Sequence, residues 1–184
     1  MRIIGGRWRG RKLSVPIAEG LRPTPDRVRE TLFNWLMPHL PGARCLDLFA
    51  GTGALCLEAL SRGAGAVVMV EQSHDVAGAL RENLSRLGAE QAEVVCRDAL
   101  EFLAGVPQAF DIIFLDPPFR SDMIEHCAQR LVPGGWTHPG TLVYVEAPRW
   151  LDPLPVPHEW QVLRSKQAGE VSYSLWQVGA PTSV

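Results

Sequence analysis

A chain of 184 residues, 46% hydrophobic and 21% charged, can build one domain with its own core and is too apolar for global disorder. No stretch approaches the roughly 20 apolar residues of a membrane span, and the basic start MRIIGGRWRGRK lacks the apolar run of a secretory signal, so a cytoplasmic protein is expected. A net charge of −2 argues against binding nucleic acid over the whole surface.

The charge is unevenly spread. Residues 1–30 carry eight basic side chains (Arg2, Arg7, Arg9, Arg11, Lys12, Arg22, Arg27, Arg29) against three acids (Glu19, Asp26, Glu30), a balance of +5 that leaves −7 for the rest. A basic arm on an acidic body suits a phosphate backbone. Gly5, Gly6 and Gly10 punctuate the run before the alternating RKLSV, and together they read as a β-hairpin. Arg7, Trp8, Arg9, Arg11, Lys12 and Arg22 are the candidate RNA contacts. An aromatic among arginines suits loop or single-stranded RNA, although a hairpin that merely packs on the body would have the same composition.

Residues 16–25 form a Pro-rich linker ending in RPTP, with Thr24 as the expected helix cap and Pro25 at the first helical position. Val28, Leu32, Phe33, Trp35 and Leu36 give a helical apolar face that stops at Pro38. From residue 44 the rhythm alternates. ARCLDLF, AVVMVE, AEVVC, FDIIFLD and TLVYVE read as strands, with helices at about 53–62, 74–87, 98–104 and 121–131. Short apolar strands alternating with helices imply a mostly parallel sheet covered on both faces, a Rossmann-like α/β sandwich. HEWQVLRS and EVSYSLWQV then read as a C-terminal antiparallel hairpin on the sheet edge.

The cysteines, Cys45, Cys56, Cys96 and Cys127, form no C-x-x-C pair and are expected as reduced, buried thiols. His39, His74, His126, His138 and His158 are scattered singly, so no metal site is expected. Trp136, Trp150, Trp160 and Trp176 are expected to pack in the core or at an edge.

Two constellations carry chemistry. In LDLFAGTGALCLEAL, Ala50-Gly51-Thr52-Gly53 forms a sharp turn between a strand and a helix, where glycine lets a ligand approach the bare backbone. Glu71 ends the second strand, twenty positions after Gly51, where an acid can accept both hydroxyls of a ribose. Asp98 follows the third strand, placed to reach an adenine amino group or to cap the next helix. Cys56 replaces the third glycine of a dinucleotide fingerprint, and Asp47 could lie near an ammonium group such as that of S-adenosylmethionine. Neither point decides the nucleoside.

The second constellation is FDIIFLDPPF, an apolar strand stopping at Asp116-Pro117-Pro118-Phe119. The prolines fix the backbone and remove two N–H donors, so the Asp116 carboxylate and the Pro117 carbonyl can converge as acceptors. Held by both, an exocyclic amine is driven toward a pyramidal nitrogen with its lone pair aimed at a methyl donor. Phe119 can stack on a base turned out of its surroundings.

Asp-Pro-Pro-Phe after the fourth strand, with the glycine loop after the first, resembles the amino methyltransferases that act on adenine N6, cytosine N4 or guanine N2. RIIGGRWRGRKL, LRPTPDRVRETLFNWL and LDLFAGTGALCLEALSRGA closely resemble the RsmD family of 16S rRNA guanine-N2 methyltransferases, a likeness that runs through DPPF and more loosely through the tail. The resemblance implies a class I S-adenosylmethionine methyltransferase with a basic hairpin arm and linker at 1–23 and a methyltransferase domain at 24–184. It implies S-adenosylmethionine as cofactor, bound by Asp47, Ala50, Gly51, Thr52 and Gly53, with Glu71 at its ribose and Asp98 at its adenine. Asp116, Pro117, Pro118 and Phe119 would hold the target, guanine 966 of 16S rRNA in the small subunit or an assembly intermediate. Cys56 and Thr52 stand where glycine and serine are more usual. Alternatives are an adenine-N6 methyltransferase on DNA or RNA, a methyltransferase of a protein glutamine amide (where Asn is more usual than Asp in the corner), and a non-catalytic RNA-binding assembly factor.

Overall fold

A computed structural model describes residues 1–16, 21, 24–118 and 121–179. The expectations for Arg22 and Phe119 therefore lie outside the described residues. The chain folds as two compact units, Met1–Asp98 and Ala99–Val184.

In the first unit, β1 (Arg44–Asp47), β2 (Ala66–Glu71) and β3 (Ala92–Cys96) are parallel, in the order β3-β2-β1. Val67 to Val70 on β2 are all buried, as expected for a strand covered on both faces. β3 is half-exposed along its length, as an edge strand is. Three helices accompany them: α1 (Asp26–Leu36), α2 (Ala54–Ser61) and α3 (His74–Leu87). The Ser73 side chain opens α3 by accepting the Val76 amide at 3.4 Å. Thr24 does not cap α1 as the sequence suggested. Pro25 takes that position with an extended ψ of 145° and no side-chain cap bond. Its carbonyl accepts the Val28 and Arg29 amides, so the first turn is closed without a hydroxyl.

The second unit contains α4 (Ala99–Leu103), β4 (Phe110–Leu115), α5 (Ser121–Leu131), β5 (Thr137–Pro148), β6 (Trp160–Ala168) and β7 (Val171–Val178). β4 and β5 are parallel, whereas β7 runs antiparallel to both β5 and β6, giving the order β4-β5-β7-β6. The C-terminal hairpin thus joins as expected, its second strand on the inside. β5 begins four residues earlier than the apolar run TLVYVE, because Thr137 pairs with Phe110 across a register shift. Trp136 is buried, donating to the Leu103 carbonyl at 3.2 Å with its ring against Phe102 and Phe110. Trp160 is buried and Trp176 half-buried, but Trp150 is 70% exposed and packs into no core. No helix among the described residues is long and apolar enough to cross a membrane. Cys45, Cys56 and Cys127 are buried free thiols, and the free thiol of Cys96 is half-exposed.

The N-terminal segment is a hairpin closed by a single antiparallel bridge between Arg2 and Lys12, with a 3-10 turn at Gly6–Trp8. It is fastened to α2. Glu58 on that helix is fully buried. Its carboxylate accepts from the Ile4 amide at 2.9 Å, the Gly5 amide at 2.8 Å, Arg29 at 3.4 Å and Arg62 at 2.7 Å. The Ser61 hydroxyl donates to the Gly5 carbonyl at 2.6 Å and accepts from the Trp8 amide at 3.0 Å. Gly6 passes so close that a Cβ there would lie 1.8 Å from the Ser61 carbonyl oxygen, at a φ of +74°. Ile3, Trp8 and Leu13 are buried by this docking.

Arg29, 1% exposed, also contacts Asp26 and the Thr24 and Arg2 carbonyls. Without Glu58 the buried guanidinium keeps only the exposed Asp26 carboxylate, and the Ile4 and Gly5 amides lose their acceptor; breaking a buried charge pair in this way costs about 3–5 kcal/mol. Glu58→Ala should therefore lower the unfolding free energy by about that much in urea titrations. A loss below about 0.5 kcal/mol, the size expected of an ordinary surface change, would show that the cluster does not hold the segment.

Candidate active site

The glycine loop lies wholly in the first unit. β1 ends at Asp47, the chain turns through Phe49 to Gly53, and α2 follows. Gly53 adopts a φ of +76°, which favours glycine, and a Cβ there would also press on Leu80 Cδ2 at 2.6 Å. The Ala50 amide donates to the Val70 carbonyl at 2.9 Å. Glu71 does the rest: its carboxylate accepts the Gly51 amide at 3.0 Å and the Ser73 amide at 2.8 Å. Each of its oxygens retains acceptor capacity, so the residue both shapes the loop and can receive further donors.

Thr52 is buried, its hydroxyl oxygen accepting from the Ala54 amide at 3.3 Å and facing the Met1 sulfur at 3.4 Å. It takes the first amide of α2 and meets the N-terminal segment at Met1. Asp98 is half-buried between β3 and α4.

Asp47 is fully buried and accepts the Phe49 amide at 3.1 Å. Desolvation, opposed by that hydrogen bond and reinforced by the nearby Glu71 charge, raises its pKa from 3.8 to about 7. A carboxylate that burial disfavours in its charged form is one that an incoming cation would stabilise.

The Asp-Pro-Pro corner lies in the second unit. β4 is buried from Ile112 to Leu115 and gives way to Asp116 and Pro117, both half-buried, and to an exposed Pro118. β5 supplies neighbours that the sequence reading did not single out. The Tyr144 hydroxyl donates to Glu146 at 2.9 Å. Burial, then the charges of Glu146 and Asp116, hold the Tyr144 hydroxyl well above its usual pKa, so both carboxylates act on one phenol. Burial also raises the pKa of Glu146, against the lowering effect of the Tyr144 hydrogen bond. Alternation within TLVYVE was the available signal, because it sets Tyr144 and Glu146 on one face at the end of an apolar strand.

In the basic segment, Arg7, Arg9, Arg11 and Lys12 are exposed. Trp8 departs from the expectation of a stacking platform. The residue is 8% exposed, with the Arg7 guanidinium 4.0 Å from its ring centroid. The residue anchors the segment: its side chain is buried beside α2, and its backbone amide donates to the Ser61 hydroxyl. Arg29, counted in the basic balance, is likewise withdrawn from the surface.

The Asp47 shift predicts a pH effect. Its pKa is higher folded than unfolded, so between about pH 4 and 7 the native state keeps a proton that the unfolded state has released. Its contribution is complete below pH 4 and is lost as pH rises through 7, at a steepest slope of about 1.4 kcal/mol per unit. Asp47→Asn keeps an acceptor for Phe49 but cannot ionise. Urea titrations of the ligand-free protein from pH 4 to 8 should show the variant gaining on the parent as pH rises. Parallel curves would remove the assigned shift.

The family described as Conserved hypothetical protein 95 matches residues 1–177. The ribosomal RNA small subunit methyltransferase D of Escherichia coli K12 is 49% identical over 177 residues, covering 96% of this chain and 89% of that protein. The protein of the same name from Haemophilus influenzae is 49% identical over 182 residues, covering 96% and 93%. Among solved structures, yhhF of Escherichia coli has a TM-score of 0.93 at 46% identity and covers 98% of this chain and 99% of its own. The RNA methyltransferase of Salinibacter ruber, in complex with S-adenosyl-L-homocysteine, has a TM-score of 0.68 at 18% identity, covering 88% and 98%, and shows the shared Rossmann-like fold. A match over nearly the whole length, in sequence and in structure, has one reading: the chain belongs to the RsmD family of ribosomal RNA small subunit methyltransferases.

Proposed function

We propose that this protein transfers a methyl group from S-adenosylmethionine to the N2 amino group of a guanine in 16S rRNA. The target is guanine 966, in the small subunit or an assembly intermediate of the cytoplasm. The observation that carries the reading is Asp116-Pro117-Pro118 at the end of β4, in a chain 49% identical to ribosomal RNA small subunit methyltransferases.

The residues of the first unit fit the cofactor by their donor and acceptor chemistry. The desolvated Asp47 carboxylate suits a cationic amino-acid moiety, and Glu71 has acceptor capacity for ribose hydroxyls. The turn from Ala50 to Gly53 presents backbone rather than side chain, and Asp98 is assigned to the adenine amine. When bound, the cofactor supplies an electrophilic methyl on a sulfonium.

This chain's own residues then prepare the nucleophile. The lone pair of an exocyclic amine is delocalised into the base. Asp116 and the Pro117 carbonyl accept its two hydrogens, which favours a pyramidal nitrogen and directs the lone pair outward. Pro118 stiffens the corner, and Phe119 is assigned to stack on the base. The proton leaves after transfer, so no general base with a tuned pKa is required.

Asp116→Ala should lower the single-turnover rate by about 10²–10³-fold, the usual effect of removing one preorganised polar contact. S-adenosylmethionine affinity by calorimetry should stay within about twofold of the parent, a shift of under half a kcal/mol. Near-normal turnover would remove Asp116 from the reaction. Nucleoside mapping of small-subunit RNA treated with the protein should yield N2-methylguanosine, and N6-methyladenosine as the sole product would overturn the proposal.

The exposed Arg7, Arg9, Arg11 and Lys12 are assigned to phosphates. Arg9→Ala and Arg11→Ala should each shallow the log–log salt dependence of RNA binding by about 0.7–0.9. Point changes are the proper probe, because deleting the segment would also strip Glu58 and Thr52 of partners. An unchanged slope in both variants would leave the basic face a solvated surface.

A further inference from the structure

The geometry of the second unit points to Glu146 as the residue that selects the target base, accepting the ring N1–H of guanine while Asp116 holds the adjacent amine. This inference rests on the guanine-N2 reading and adds to it the group that separates guanine from adenine.

The register supplies the placement. On the parallel pair β4 and β5, Phe114 faces Tyr144 and Leu115 faces Val145. The next residues along are Asp116 and Glu146, and alternation sets both on the face of Phe114 and Tyr144. The influence of both carboxylates on the Tyr144 hydroxyl agrees with that placement. Across the sheet the row continues from Glu146 to Tyr173 on β7 and to Lys166 on β6. Tyr144 and Tyr173 are buried, Lys166 is exposed and Glu146 is half-buried.

Glu146 is also held in a fixed pose. The Tyr144 hydroxyl donates to one of its oxygens at 2.9 Å, and the Tyr144 ring stands edge-on to Phe114 at 6.4 Å between centroids. An ionised carboxylate has room for about four donors on its two oxygens, so capacity remains after the tyrosine bond. Keeping an acid in a half-buried position costs desolvation, and a donor arriving with the substrate would offset that cost.

Guanine supplies such a donor. Its Watson–Crick edge carries N1–H beside the N2 amine, two neighbouring donors for two neighbouring carboxylates. Adenine and 2-aminopurine present a bare N1 lone pair at the ring position, which an ionised Glu146 would repel. A site built on a hydrogen bond rejects the analogue lacking it more strongly than an apolar pocket rejects a change of shape.

The test replaces the target guanosine with 2-aminopurine riboside in reconstituted small-subunit particles. The analogue keeps the N2 amine and loses N1–H. The parent protein should methylate guanine at a kcat/KM roughly 10–100-fold above the analogue. Glu146→Gln can turn its amide to donate to the bare N1 and should narrow that ratio at least tenfold. The loss of O6 in the analogue is common to parent and variant and cancels in the comparison. A purely structural defect would lower both substrates together and leave the ratio unchanged, with the fall visible in the unfolding midpoint. An unchanged ratio in Glu146→Gln overturns the inference. So does a parent that uses both bases equally, a result that needs no variant to fold. If the parent makes N2-methylguanosine and either result is found, only the role of Glu146 falls; if it makes no N2-methylguanosine on native particles, the guanine reading falls first.

Discussion

A carboxylate with no access to water must find its donors inside the protein, and Glu58 finds four. Two are backbone amides of the N-terminal segment and two are arginines. The four bonds give one side chain control over three separate parts of the first unit: the basic hairpin, α1 through Arg29, and α2, which follows directly from the glycine loop. Desolvating these charges is expensive, and the geometry recovers that expense only while every partner is present. The basic segment is therefore part of the scaffold that carries the loop. Met1 against Thr52 extends the same connection to the loop itself.

The remaining acids of interest differ in how completely their donors are supplied. Glu71 is served by two backbone amides and thereby sets the conformation of the loop. Among the described residues Asp47 has one amide and full burial, Glu146 one phenol and partial burial, and the pKa of each is raised, chiefly by desolvation. Incomplete internal solvation is what distinguishes a group poised for a ligand from one that is purely structural. A cationic moiety at Asp47 and a base donor at Glu146 would each complete what the fold leaves open.

Much of this was legible in the residues. The alternation of short apolar strands with helices specified the α/β class, because strands covered on both faces have no polar face to show. β2, β3, α3 and α5 fell on the residues read from that pattern. The turn at Gly51 and Gly53 and the corner at Asp116 were legible for a related reason, since glycine and proline restrict or release the backbone by their own covalent structure. The hairpin β6–β7 was visible in two alternating runs about a glycine turn.

What the sequence could not supply was which polar groups meet across long separations. Glu58 looks like an exposed helix acid until Ile4 and Gly5, more than fifty residues away, are brought to it. Trp8 among arginines has the composition of an RNA platform, yet burial against α2 made it an anchor. Trp150 has the composition of a core residue, yet it stands exposed. Glu146 gained its candidate role from the register of β4 against β5, which no local pattern encodes. Backbone preference and hydrophobic period act over a few residues and can be read along the chain. The pairing and desolvation of charge act through space, and only the tertiary structure decided them.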